Sequence, residues 1–131
     1  MREEEVWNRA LDHGYAGPRG EGDLALAAVL LLDGMAQNGG LLHAVQGLGP
    51  QQLAEAIAGY RWFGLDLLAD GSRSVAAEAA RIGPNGSLAL LEELEDRADR
   101  VYWPGPPADE APDQAFRARL AASPEAFVGT G

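Results

Sequence analysis

The chain has 131 residues, with 20 Asp and Glu against 10 Arg and neither Lys nor Cys, so its formal net charge is −10. This length suits one domain, and the absence of Cys excludes a disulfide framework, a thiolate zinc site and a thiol nucleophile. The acidic N-terminus, the lack of a membrane-length apolar run and the negative charge predict a cytoplasmic protein with no direct contact to nucleic acid or membrane.

Helix formers dominate the composition. Ala and Leu contribute 42 residues, whereas the β-branched Val, Ile and Thr contribute 9, a bias that favours helices over strands. A first helix is predicted over Arg2–His13, followed by a Gly-rich connection to Gly22. Asp23 is predicted to cap a second helix that stays apolar nearly all round until Asp33, as is typical of the buried centre of a bundle.

The second helix is predicted to end at Asn38-Gly39-Gly40, because these residue types accept the backbone conformation of a helix C-terminus. The remaining helices are predicted over Leu41–Gln46, Gln51–Ala69, Ser74–Ile82, a Ser87-capped segment reaching Trp103, and Asp113–Ala122, with a fresh start at Ser123-Pro124-Glu125. The Ser87-capped helix is predicted to direct Leu88, Leu91, Leu94, Ala98 and Val101 inward, and Trp103 is expected to close the core. The sequence therefore predicts an all-α single domain over residues 1–131, a helical bundle of about five to seven helices.

No motif in the chain carries catalytic chemistry. His13 and His43 each lack a second His at helical spacing, and neither a metalloprotease pattern nor a serine-hydrolase elbow is present. We therefore expect no enzyme, no cofactor and no metal. An enzymatic interpretation would require His43 to lie within hydrogen-bond reach of Asp33 or Asp66.

Negative charge is concentrated near the C-terminal third of the chain. From Glu92 to Asp113, eight acidic residues and two arginines give a net charge of −6 in 22 residues. The pairs Glu93–Arg97 and Asp96–Arg100 have the i,i+4 spacing of helical ion pairs, yet the carboxylates outnumber the arginines. The candidate partner-binding residues in this stretch are Glu92, Glu93, Glu95, Asp96, Asp99, Asp109 and Glu110.

Two interpretations of this acidic stretch remain open. It is either a solvated helix face that keeps the protein soluble, or a surface that imitates the charge of nucleic acid. Carboxylates one turn apart on a helix lie roughly 5–6 Å apart at Cβ, and each DNA strand carries one charge per about 3.4 Å. These spacings are of the same order, so a basic DNA-binding protein could accept such a face.

Trp62 is a further candidate for partner binding. Glu55, Trp62 and Asp66 share the i, i+7, i+11 spacing, which places the indole on the polar side of the predicted long helix. An exposed Trp beside carboxylates is typical of an interface anchor, because Trp is enriched among binding hot spots. The alternative is a boundary Trp that a neighbouring helix or loop covers.

The segment Asp33-Gly34-Met35-Ala36-Gln37-Asn38-Gly39-Gly40, after a buried apolar helix, resembles the Asn-Gly-Gly signature of a bacterial family of DNA-mimic-like domains. The similarity covers residues 23–127, with residues 1–22 forming an N-terminal helix and connection; the aromatics that the family places after the glycines are replaced here by Leu41 and Leu42. The resemblance implies an all-helical, non-enzymatic protein that presents acidic surface to a basic partner, with Asn38, Gly39 and Gly40 in a structural role.

Two functions are therefore carried forward. The first is an acidic protein-interaction domain, a DNA mimic that occupies the DNA-binding surface of a basic regulator. The alternative is an immunity or antitoxin-type protein that neutralises a toxin by binding it. Both imply a basic protein partner, and both leave the oligomeric state open, a dimer included.

Overall fold

Helices make up most of the protein, as the Ala- and Leu-rich composition predicts. The computed structural model describes residues 3–105 and 110–128. Within these ranges the helices are α1 (Glu3–Leu11), α2 (Glu21–Gly39), α3 (Leu41–Gly47), α4 (Pro50–Trp62), α5 (Asp66–Ile82), α6 (Leu88–Tyr102) and α7 (Ala111–Ala122), followed by a 3-10 turn at Pro124–Ala126. The prediction of an all-α bundle is confirmed, with seven α-helices and no strand in the described residues.

Helix α2 lies at the centre of the bundle, as its apolar sequence predicts. It packs against α1, α3, α4 and the 3-10 turn, while α5 packs against α3, α4 and α6. Leu26, Leu32 and Ala36 of α2 are almost fully buried, together with Leu41 of α3 and Leu94 of α6. The core therefore runs from α2 through the short helix α3 to the α5–α6 pair, and α6 forms one outer wall of the molecule.

The prediction of one continuous helix over Gln51–Ala69 is wrong, because the helix is interrupted between Trp62 and Asp66. Gly64 has a φ of 78°, a left-handed conformation that favours glycine, and the Leu65 amide donates to the Tyr60 carbonyl at 2.8 Å. Helix α5 therefore begins at Asp66 in a new direction and includes the predicted Ser74–Ile82 segment. Leu67, which the continuous helix would have buried, is 88% exposed.

Asp23 is not the N-cap of α2, as the sequence predicted, but its third residue. Its carboxylate accepts a hydrogen bond from the Gly20 amide at 2.9 Å, which is one half of a capping box. The same carboxylate accepts from Arg9 at 2.6 Å and from the Val128 amide at 2.8 Å, and the residue is 1% exposed. Asp23 therefore joins α1, α2 and the C-terminal segment.

Helix α6 also differs from its sequence prediction at both ends. Leu94 and Ala98 are buried as expected, but Leu88 is 71% exposed, and Leu90 in the same first turn is exposed as well. Trp103 does not close the core: it is 47% exposed and packs edge-on against Tyr102. The aromatic cluster that packs in the interior is a different one, in which Phe116 of α7 contacts Trp7, Phe63 and Phe127.

Candidate functional site: the acidic face of helix α6

Four carboxylates gather on one side of α6, and we call Glu92, Glu95, Asp96 and Asp99 the acidic tetrad. Each member has two others at i,i+3 or i,i+4 spacing, so the four are neighbours on the helix surface. Because successive residues of an α-helix turn by about 100°, the tetrad spans an arc of only about 100°. Glu92, Glu95 and Asp96 are exposed and Asp99 is half-buried.

The arginines of α6 do not neutralise the tetrad. The expected pairs Glu93–Arg97 and Asp96–Arg100 are wrong, since neither forms an ion pair. Arg97 instead approaches Glu78 of α5, at 3.9 Å. Helical geometry places Arg97 on the α5 side of α6, away from the tetrad, whereas Arg100 lies at the edge of the tetrad without pairing with it. Among the described residues no cation lies within ion-pair distance of any tetrad carboxylate.

Asp99 connects the tetrad to the Asn-Gly-Gly segment. An Oδ1 atom of Asp99 lies 3.1 Å from the position that a Cβ on Gly40 would occupy, and Gly40 has a φ of 94°. Gly40 ends α2 and begins α3, with its amide donating to the Ala36 carbonyl at 2.7 Å. The predicted helix end at Asn38-Gly39-Gly40 is confirmed, and the turn brings the backbone close to one carboxylate of the acidic face.

The other acidic candidates lie apart from the tetrad. Glu110 is exposed and immediately precedes α7, while Asp109 lies outside the described residues. Asp113, the last residue of the acidic stretch, faces Arg117 at 3.4 Å, and Arg117 also faces Glu3 at 3.4 Å. The acidic stretch therefore divides into an unpaired group on α6 and a paired carboxylate on α7.

Trp62 is half-buried at the end of α4. The guanidinium carbon of Arg119 lies 4.0 Å from the centroid of the Trp62 ring. The indole also makes edge-to-face contacts with Phe63 and Phe127. Such a cation–π contact contributes about 0.5–1 kcal/mol near the surface. The structure thus gives Trp62 the surroundings of a covered boundary residue and places α7 over the face that the sequence left open.

A polar contact between α2 and α6 escaped the sequence analysis. The Tyr102 hydroxyl donates to the Asp33 carboxylate, and Gln37 Nε2 donates to the other Asp33 oxygen at 2.7 Å. Burial raises the pKa of Asp33 despite these two hydrogen bonds. Burial also raises the pKa of Tyr60, whose hydroxyl has no hydrogen-bond partner within the described part of the chain. The signal available in the sequence was the carboxylate of Asp33, which interrupts the apolar run that begins at Leu24.

Both histidines are exposed, and no hydrogen bond joins His43 to Asp33 or Asp66 in the described ranges. Residues 3–105 and 110–128 contain no group of His, Asp and Glu side chains that could hold a metal ion. Over the same residues, no helix combines the length and apolar character needed to cross a bilayer.

No protein-family model, curated protein or solved structure matches this chain. What points to a function is therefore the geometry of the chain itself. In that geometry, the acidic tetrad is the largest group of neighbouring carboxylates on one helix face for which the described part of the fold supplies no counter-charge.

Proposed function

We propose that the protein is an acidic interaction domain that presents the tetrad face of α6 to a basic protein in the cytoplasm and occupies that partner's DNA-binding surface. The observation that carries this proposal is the segregation of charge on α6. Four adjacent carboxylates lie on one side with no ion-pair partner in the described residues, while Arg97 lies on the other side toward Glu78. A solvated face selected only for solubility has no need of this segregation.

The physical basis of the interaction is electrostatic complementarity. The tetrad holds its charges one helical turn apart, which is of the same order as the charge spacing along a DNA strand. Complementary charge raises association rates and makes binding sensitive to salt. The resemblance of the Asn-Gly-Gly segment to DNA-mimic-like domains supports the same function, because Gly40 lies directly beside Asp99.

The experiment compares two variants of equal net charge. In the tetrad variant, Glu92→Gln, Glu95→Gln, Asp96→Asn and Asp99→Asn remove four negative charges from α6. In the matched control, glutamine replaces four exposed glutamates of α1, α2 and α4 that form no ion pair in the described residues: Glu4, Glu5, Glu21 and Glu55. Both variants carry a net charge of −6.

Each immobilised protein is exposed to a lysate, and bound proteins are eluted with a DNA duplex. We expect the wild type and the control to retain DNA-binding proteins that the duplex displaces, and the tetrad variant to lose them. Equal loss by both variants would show that net charge alone matters and would contradict the proposal. Capture of a toxin that DNA fails to displace would instead support the immunity function.

A further inference from the structure

A second feature of the surface is a cleft of about 530 Å³ next to the C-terminal end of α6. Its walls include the aromatic side chains of Trp7, Tyr102 and Trp103, together with the carboxylates of Asp33 and Asp113. The described residues that line this cleft include no basic side chain. Asp113 pairs with Arg117, whereas Asp33 has no ion-pair partner among the described residues. The aromatic faces and the Asp33 carboxylate therefore match a positively charged organic group.

Two of the aromatic rings stand at right angles. The ring centroids of Tyr102 and Trp103 are 4.8 Å apart, with an angle of 88° between the ring planes, an edge-to-face contact. Each ring face carries partial negative charge, so the ring faces that this contact leaves uncovered attract a cation. Trp103 is 47% exposed, which leaves part of its ring surface open to a ligand.

Asp33 supplies negative charge to the same cleft. Its carboxylate is oriented by neutral donors, the Tyr102 hydroxyl and the Gln37 amide, and no cation pairs with it in the described residues. The Tyr60 hydroxyl is buried nearby, has no hydrogen-bond partner among the described residues and lies within the electrostatic field of Asp33. The fold thus holds a half-buried carboxyl group here without counter-charge in the described residues, and a bound cation would compensate it.

We propose that this cleft is a binding site for an alkylammonium group, which lies against the Tyr102 and Trp103 rings with Asp33 as its counter-charge. The ammonium belongs either to a small free amine or to a lysine side chain of a protein. Asp99 lies one helical turn before Trp103, so a lysine in the cleft would extend the tetrad surface. The site itself does not depend on the proposed DNA mimicry.

The protein's three tryptophans provide a direct test. Trp7 and Trp103 line the cleft, whereas Trp62 is not among its lining residues and is covered by Arg119. Choline is titrated against isotope-labelled protein while the three indole N–H resonances are followed, with 3,3-dimethylbutan-1-ol as the uncharged isostere. We expect choline to shift the Trp7 and Trp103 resonances in a saturable manner, to leave Trp62 unchanged, and to bind about tenfold more tightly than the alcohol.

Variants locate the site further. Trp103→Ala and Asp33→Asn should each weaken choline binding about tenfold, because each removes one of the attractive elements. Leu88→Ala, at the opposite end of α6, should leave binding unchanged. Trp103 is well exposed, so its replacement tests the site even if the Asp33 variant unfolds.

A parallel titration with Nα-acetyl-lysine methylamide distinguishes the two sources of the ammonium group. Saturable shifts with choline alone indicate a small free ammonium compound, and shifts with the lysine derivative indicate a protein side chain. Absence of shifts with both cations, equal binding of the uncharged alcohol, or equal movement of all three indole resonances would overturn the proposed site.

Discussion

Asp23 and the acidic tetrad show two opposite uses of a carboxylate in one small protein. Asp23 is 1% exposed and is held by Arg9 and two backbone amides, so its charge is part of the fold. The tetrad carboxylates lie on the outer wall of the bundle without a cation within ion-pair distance in the described residues. The difference separates negative charge that builds the protein from negative charge that the protein can present to a partner.

The largest expected effect comes from removing the buried charge. Asp23→Asn leaves Arg9 without its counter-charge and weakens the contacts to Gly20 and Val128, so we expect a loss of about 3–5 kcal/mol in the free energy of unfolding. Urea denaturation followed by circular dichroism measures this loss. Glu21→Gln, two residues earlier on the same helix and exposed, is the control and should change stability little. Equal effects of the two substitutions would contradict the distinction between the buried carboxylate of Asp23, which stabilises the fold, and exposed carboxylates, which do not.

The next largest effect is expected at Gly40, where the backbone lies close to the tetrad residue Asp99. Gly40→Ala places a side chain at a φ of 94° and only 3.1 Å from Asp99, so we expect a loss of about 1–3 kcal/mol. Gly34→Ala is the matched control in the same helix, because its added Cβ meets no atom within 4 Å. That control should gain about 0.5–1 kcal/mol from higher helix propensity. A stable Gly40→Ala variant would contradict the geometry of this turn.

A smaller effect of opposite sign is expected from the tetrad itself. Neutralising all four carboxylates removes repulsion between like charges, worth about 0.2–0.5 kcal/mol for each neighbouring pair. We therefore expect the tetrad variant to be more stable than the wild type by about 1 kcal/mol at low salt, with the difference shrinking as salt is added. A marked loss of stability would mean that the fold does use these charges, as it uses Asp23.

The last prediction concerns Asp33, whose side chain is more exposed than that of Asp23 and less exposed than those of Glu92, Glu95 and Asp96. Burial raises its pKa above the ordinary value of 3.8, so the folded state binds the proton more tightly than the unfolded state. Stability from this group is therefore greatest below the ordinary pKa and falls as pH rises through the raised pKa. The stability of wild type relative to Asp33→Asn should decline with increasing pH over that window, as measured by urea denaturation. An increase would show that the hydrogen bonds from Tyr102 and Gln37 outweigh burial.

Local patterns in the sequence predict much of this fold. The apolar run of α2 predicts the central helix, and Asn38-Gly39-Gly40 predicts its end, because both signals act within a few residues. The break at Gly64 was missed because the apolar periodicity continues across it, and the left-handed glycine is set by how α5 packs on its neighbours. Periodicity measures amphipathicity, and it does not detect a change of helix direction.

For the candidate site too, the sequence predicts local features and does not predict contacts made by tertiary packing. The sequence places the tetrad members on one face of a helix, since i,i+3 and i,i+4 spacing is a local property. Three other contacts join parts of the chain that are distant in sequence. They are the approach of Arg97 to Glu78, the cation–π contact of Arg119 with Trp62 and the hydrogen bond of Tyr102 to Asp33. Such contacts depend on tertiary packing and leave no periodic signal in a single sequence.

The central claim is that the tetrad presents charge that the fold does not use, and the salt dependence of partner binding tests it most directly. For a DNA-displaceable partner, affinity is measured against salt concentration for the wild type, the tetrad variant and the charge-matched control. We expect a steep decline of affinity with salt for the wild type and the control, and a shallow one for the tetrad variant. Identical slopes for the two variants, or a wild-type affinity that does not change with salt, would contradict the claim.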